Sequence, residues 1–166
     1  MITVRKLKLS IRESDEESRK VKYQFIRDSQ YAQYRALNLA VGILSSAYLK
    51  SNKDTKQESY KNAIKSLTNS NPIFSEIEFG RGVDTLSLVT QRAKKDFKNS
   101  IKNGLARGER NLTSYKRTYP LMTRGRDLKF RYEGDDIVIR WVNKIEFNVI
   151  TGSNKIKENT VELKHT

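Results

Sequence analysis

The chain has 166 residues, 36% of them hydrophobic, enough for one substantial core or two small lobes sharing an interface. Its 33 Lys and Arg against 19 Asp and Glu leave a net +14, a balance that points to a polyanionic partner. The absence of cysteine excludes disulfides, thiolate zinc sites, iron–sulfur clusters and thiol nucleophiles, and no window approaches the roughly 18 apolar residues of a membrane span, so a cytoplasmic protein with no membrane partner is expected.

From the N-terminus, Ile2 and Val4 fall on one parity and Leu7, Leu9 and Ile11 on the other, which predicts a strand with a bulge near Arg5 and Lys6. The polar run Ser14 to Arg19 reads as a loop. A long helix is predicted from about Lys22 to Lys50, because Ile26, Tyr34, Leu37, Val41, Leu44 and Tyr48 share one face. A short helix over Gln57 to Leu67 follows, then a breaker at Asn69 to Pro72. Leu86, Val89, Ala93, Phe97 and Ile101 predict a helix from Asp84 to about Lys102, stopped by Asn103-Gly104. From Leu128 the period changes to two: Leu128, Phe130, Tyr132; Ile137, Ile139, Trp141; Ile145, Phe147, Val149; and a last strand over Lys155 to Lys164. The expected class is α+β, a small antiparallel β-barrel or twisted sheet with a helical insertion after its first strand.

The positive charge is concentrated. Residues 81 to 131 hold 14 basic and 4 acidic side chains, a net +10, whereas residues 51 to 80 are neutral. On the predicted helix, Gln91, Lys94, Lys95 and Lys98 lie opposite Ala93 and Phe97, so one side can be buried while cations and an amide meet phosphates and base edges. An ordinary solvated helix face has the same pattern. From Arg107 to Arg131, cations including Arg110, Lys116, Arg117, Arg124, Arg126 and Lys129 alternate with Tyr115, Tyr119, Phe130 and Tyr132, an arrangement suited to neutralising phosphates and stacking bases. Tyrosines serving as core residues within a solubilising loop would also read this way. Gly125, between Arg124 and Arg126, lets backbone approach a phosphate, as a plain surface turn also would.

No catalytic constellation is legible. His165 is the only histidine and lies in the tail; Asp135 and Asp136 read as turn residues; and there is no Walker or dinucleotide-type glycine loop. No cofactor or metal is expected. The sequon Asn111-Leu112-Thr113 matters only in a secreted chain.

The segments Ser87 to Lys98, Gly108-Glu109-Arg110 and Ser114 to Leu121 (SYKRTYPL), with Met1 to Lys6, Ile26 to Asn38 and Met122 to Phe130, resemble the miniature type V-F CRISPR effectors and the related TnpB nucleases. That resemblance implies an OB-like wedge β-barrel interrupted by a helical recognition domain. The corresponding segments are residues 1–13 for the first wedge strand, 14–106 for the recognition insertion and 107–166 for the remaining wedge with a basic loop. It also implies a guide RNA and the DNA duplex beside the target as partners, with a second effector protomer as a further candidate. Thr90, Gln91, Lys94, Lys95, Lys98, Arg110, Tyr115, Lys116, Arg117, Arg124, Arg126 and Lys129 become the nucleic-acid-binding set. Members of the family cut with a RuvC-like domain, and Thr166 precedes any such segment, so this chain is expected to bind without cutting. It would do so as part of a nuclease or as a short homologue that inhibits one; a general basic RNA-binding protein would explain the charge but not the matched segments.

Overall fold

The structure, a computed structural model, describes residues 4–150 and contains three helices and four strands. The described residues divide into two compact units, the first made of residues 4–26 and 124–150 and the second of residues 27–123.

The first unit is built on strands β1 (Leu9–Ile11), β2 (Lys129–Glu133), β3 (Asp136–Arg140) and β4 (Glu146–Val149), all antiparallel, in the order β1-β4-β3-β2. A two-residue turn joins β2 to β3, with Gly134 at φ 61° supplying the left-handed step such turns need. Between β3 and β4 that role falls to Asn143 and Lys144, at φ 56° and 58°. The register places Ile11 opposite Phe147, and Phe147 opposite Ile139, which in turn faces Phe130, so the period-two residues share one face. Ile137, Ile139 and Val149 are buried there with Leu7, Leu128 and Phe130 packed against them.

The sheet is not the barrel expected from the sequence. Among the described residues β1 and β2 remain edges, and the strands run three to five residues. Closure requires the outer strands to meet through tilt and stagger, and four strands this short enclose no interior wide enough for side chains. The opposite face is instead largely polar and cross-linked by charge: Val138 is fully buried in it, but Lys129, Glu133, Asp136 and Arg140 are exposed, Arg12 binds Glu133 at 2.7 Å, and Arg131 pairs with both Glu133 and Glu146. Those carboxylates hold the Arg131 guanidinium above its ordinary pKa, Glu146 most strongly. The predicted strand at Lys155 to Lys164 lies outside the described residues.

Helix α1 (Glu16–Lys50) starts a turn and a half before the sequence suggests, because the acidic run caps it. Asp15 Oδ2 accepts from the Ser18 backbone N–H at 2.9 Å and from its hydroxyl at 2.8 Å, while Glu13 binds Lys22 at 2.7 Å. The Lys22 bond holds the Glu13 carboxyl below its ordinary range, and the Ser18 bonds do the same for Asp15.

The second unit packs α1 from Arg27 onward with α2 (Glu58–Ser66) and α3 (Leu86–Lys102). Its core combines Ala36, Leu37, Ala40, Val41 and Leu44 of α1 with Val89, Ala93 and Phe97 of α3, and Tyr48 meets Tyr60 and Phe97 edge-on. Helix α3 ends at Gly104, whose φ of 113° and 2.8 Å spacing between a notional Cβ and Glu109 Cβ leave room for glycine alone.

Candidate nucleic-acid interface

The second unit carries 17 Lys and Arg against 8 Asp and Glu, a net +9, and its candidate site is assembled from α3 and the extended strap 110–122. Burial of Val89, Ala93 and Phe97 against α1 decides which side of α3 remains outside. Gln91, Lys95 and Lys98 are exposed and Lys94 half-exposed along that side. None of the three lysines has an ion-pair or hydrogen-bond partner among the described residues. Thr90 is different: it is buried on the packed side and its hydroxyl donates to the Ser87 carbonyl at 3.1 Å.

The strap has no helix or strand of its own, so its backbone polar groups need partners from elsewhere. Three amide side chains of α1 supply them. Asn38 Nδ2 donates to the Tyr115 carbonyl at 3.1 Å and its Oδ1 accepts from the Tyr115 N–H at 2.9 Å. Gln33, fully buried, donates to the Pro120 carbonyl at 2.9 Å and accepts from the Met122 N–H at 2.8 Å, and Gln30 donates to the Tyr119 carbonyl at 2.8 Å. From the other side, Tyr115 is buried and its hydroxyl donates to Asp96 of α3 at 2.8 Å; burial, then that bond, push its phenol far above the ordinary range. Ser100 and Thr113 hydroxyls join 2.7 Å apart. The strap is therefore laced to α1 by amides and to α3 by hydroxyls.

Between these fixed points, residues 116–118 turn outward. Lys116 and Arg117 are exposed there, and Arg117 lies 4.7 Å over the centre of the Tyr31 ring, which itself stacks on Tyr34. A guanidinium ordered in this way loses less freedom when it meets a phosphate or a base plane. Arg110 is exposed and, like Lys116, has no partner among the described residues; Arg107 is engaged by Glu109 at 2.9 Å.

Of the residues singled out from the sequence, Gln91, Lys94, Lys95, Lys98, Arg110, Lys116 and Arg117 thus lie on the outer surface of the α3 and strap assembly, with Thr90 and Tyr115 inside it. Arg124, Arg126 and Lys129 belong to the other unit. There Arg124 is bound to Asp127 at 2.9 Å with both side chains largely buried, while Arg126 and Lys129 are exposed. Sequence reasoning passed over Gln30, Gln33 and Asn38. Their only signal is three amides on an otherwise apolar helix side, a hint that backbone elsewhere needs partners.

Among the described residues no three of His, Asp or Glu gather as a metal-holding group, and no helix is long and apolar enough to cross a membrane. No protein-family model matches the chain, and no curated protein matches it.

Proposed function

We propose that this chain is a nucleic-acid-binding module that acts by occupancy in the cytoplasm, with structured RNA as its principal ligand. The observation that carries this reading is the strap: Lys116 and Arg117 are held outward by a backbone pinned to two helices, beside an α3 face whose lysines lack acidic partners. Cations kept free of carboxylates and ordered in advance serve a polyanion better than they serve folding. The resemblance of Ser87 to Lys98 and of Ser114 to Leu121 to type V-F effectors names the ligand more narrowly, a guide RNA, with duplex DNA beside the target as a second surface read through Gln91.

Fluorescence anisotropy of a labelled RNA hairpin over a salt series tests the proposal. If Lys94, Lys95, Lys98, Arg110, Lys116 and Arg117 all meet phosphates, affinity falls about 1000-fold between about 50 and 200 mM salt. Replacing Lys116 and Arg117 with alanine lowers the slope of log affinity against log salt by about 1.5–2, since each lost contact releases one counterion fewer. Replacing Lys53 and Lys56, from the neutral stretch, leaves it unchanged. Binding that ignores salt, or equal losses in both variants, refutes the reading.

A further inference from the structure

We propose that the groove between the C-terminal half of α3 and the strap is a pocket for one unpaired nucleotide of the bound RNA, an inference that rests on the RNA-binding reading above. The groove has a volume of about 530 Å³, the size of a small-molecule site and not of a helical groove. Asn99 and Asn103 line one wall from α3, and Arg110, Lys116 and Tyr119 line the strap side. Its chemistry is uncommitted where a nucleotide needs it. The carboxamides of Asn99 and Asn103 have no hydrogen-bond partner among the described residues, nor do the charged ends of Arg110 and Lys116. An amide can donate to and accept from a base edge, and the two cations can take the phosphates on either side of the base.

The groups that would oppose such a ligand are already occupied. Asp96 is the one acid lining the groove among the described residues; its Oδ2 accepts from the Tyr115 hydroxyl at 2.8 Å, and Arg92 stands 3.9 Å from its Oδ1. Ser100 and Thr113 satisfy each other. Tyr119 supplies an aromatic wall, its ring held edge-to-face against Tyr115 at 5.0 Å, and its backbone is fixed by Gln30. A fixed aromatic wall, two free amides and two free cations around a nucleotide-sized space form the kit by which proteins take a base out of a stack and read its edge. A base-paired stem leaves those amides unused; an extruded nucleotide uses them.

The test compares two RNA hairpins that differ by one extruded nucleotide in the stem, bound to the purified full chain. The wild-type chain is expected to favour the bulged hairpin about tenfold. The N99A/N103A variant abolishes that preference and keeps the affinity and salt slope for the fully paired hairpin. Asn99→Ala alone, at an exposed helical position where alanine favours the helix, reduces the preference without a risk to folding. Equal binding of the two hairpins by the wild type, or a preference that survives in both variants, overturns the pocket and leaves the RNA-binding reading intact. Failure to bind either hairpin overturns both.

Discussion

Replacing Gln33 with methionine isolates the hydrogen bonds of the α1 clasp from its packing, because methionine has nearly the same length and fills the same buried space. The wild-type carboxamide is fully buried and holds both the Pro120 carbonyl and the Met122 N–H. Their fates differ once it is gone. Pro120 is an exposed residue, and the loss of the bond to its carbonyl is counted as an ordinary net hydrogen bond, about 0.5–1.5 kcal/mol. Met122 is half-buried, and leaving its N–H dry and unpaired costs about 1–3 kcal/mol. Together the variant should lose about 1.5–4.5 kcal/mol, a large fraction of the roughly 5–15 kcal/mol that holds a domain. Urea unfolding measures the total, and hydrogen exchange at the Met122 amide shows whether the loss is local. RNA affinity should fall as the strap loosens, although no charge has been removed. A loss below about 0.5 kcal/mol, with the Met122 amide still protected, would refute the claim that this amide fixes the strap.

Arg124→Ala should cost the first unit about 1–2 kcal/mol in urea unfolding, since it strands a largely buried Asp127, yet change the RNA salt slope little. A slope change as large as that of a strap lysine would return Arg124 to the binding surface. Because the Tyr115 phenol is raised above its ordinary 10.0, first by burial and then by its bond to Asp96, its contribution is complete below that value and is lost as pH climbs beyond it. Tyr115→Phe should flatten this alkaline loss in a pH series of urea midpoints. At the acid end, Glu13 and Asp15 lie below their ordinary values of 4.5 and 3.8, Glu13 chiefly through Lys22 and Asp15 through Ser18. Their contribution is present above those values and disappears as pH falls through the lowered ones, so Glu13→Gln combined with Asp15→Asn should blunt the acid unfolding of the first turns of α1, read by far-ultraviolet circular dichroism. An acid limb identical to wild type would argue against the cap.

What the amino-acid order determines by itself is local. Helix α1 is legible because Leu37, Val41, Leu44 and Tyr48 repeat at helical spacing, and β2, β3 and β4 because Phe130, Ile139 and Phe147 sit within period-two runs; both patterns are written within one element. The early start of α1 at Glu16 is not legible in the sequence, because an acidic polar run serves equally as loop or cap and only the folded chain shows Asp15 accepting from Ser18. A sheet rolled shut and an open sheet packed on one face require the same alternation, so only the strand pairing, with β1 joined to β4 some 140 residues away and left unpaired with β2, decides that the sheet stays open among the described residues. The candidate site divides the same way. The charge of residues 81 to 131 is visible in the chain, but which of its members face outward is settled by contacts between distant residues. Tyr115 is drawn inside because Asn38 and Asp96 satisfy its polar groups, and Thr90 because Ala93 and Phe97 set the packed side of α3. Lys116 and Arg117 face out because Gln30, Gln33 and Asn38 hold the backbone on either side of them, across sequence separations of 77 to 89 residues. Periodicity records what each segment buries; which backbone a side-chain amide will satisfy depends on where the folded chain brings that backbone.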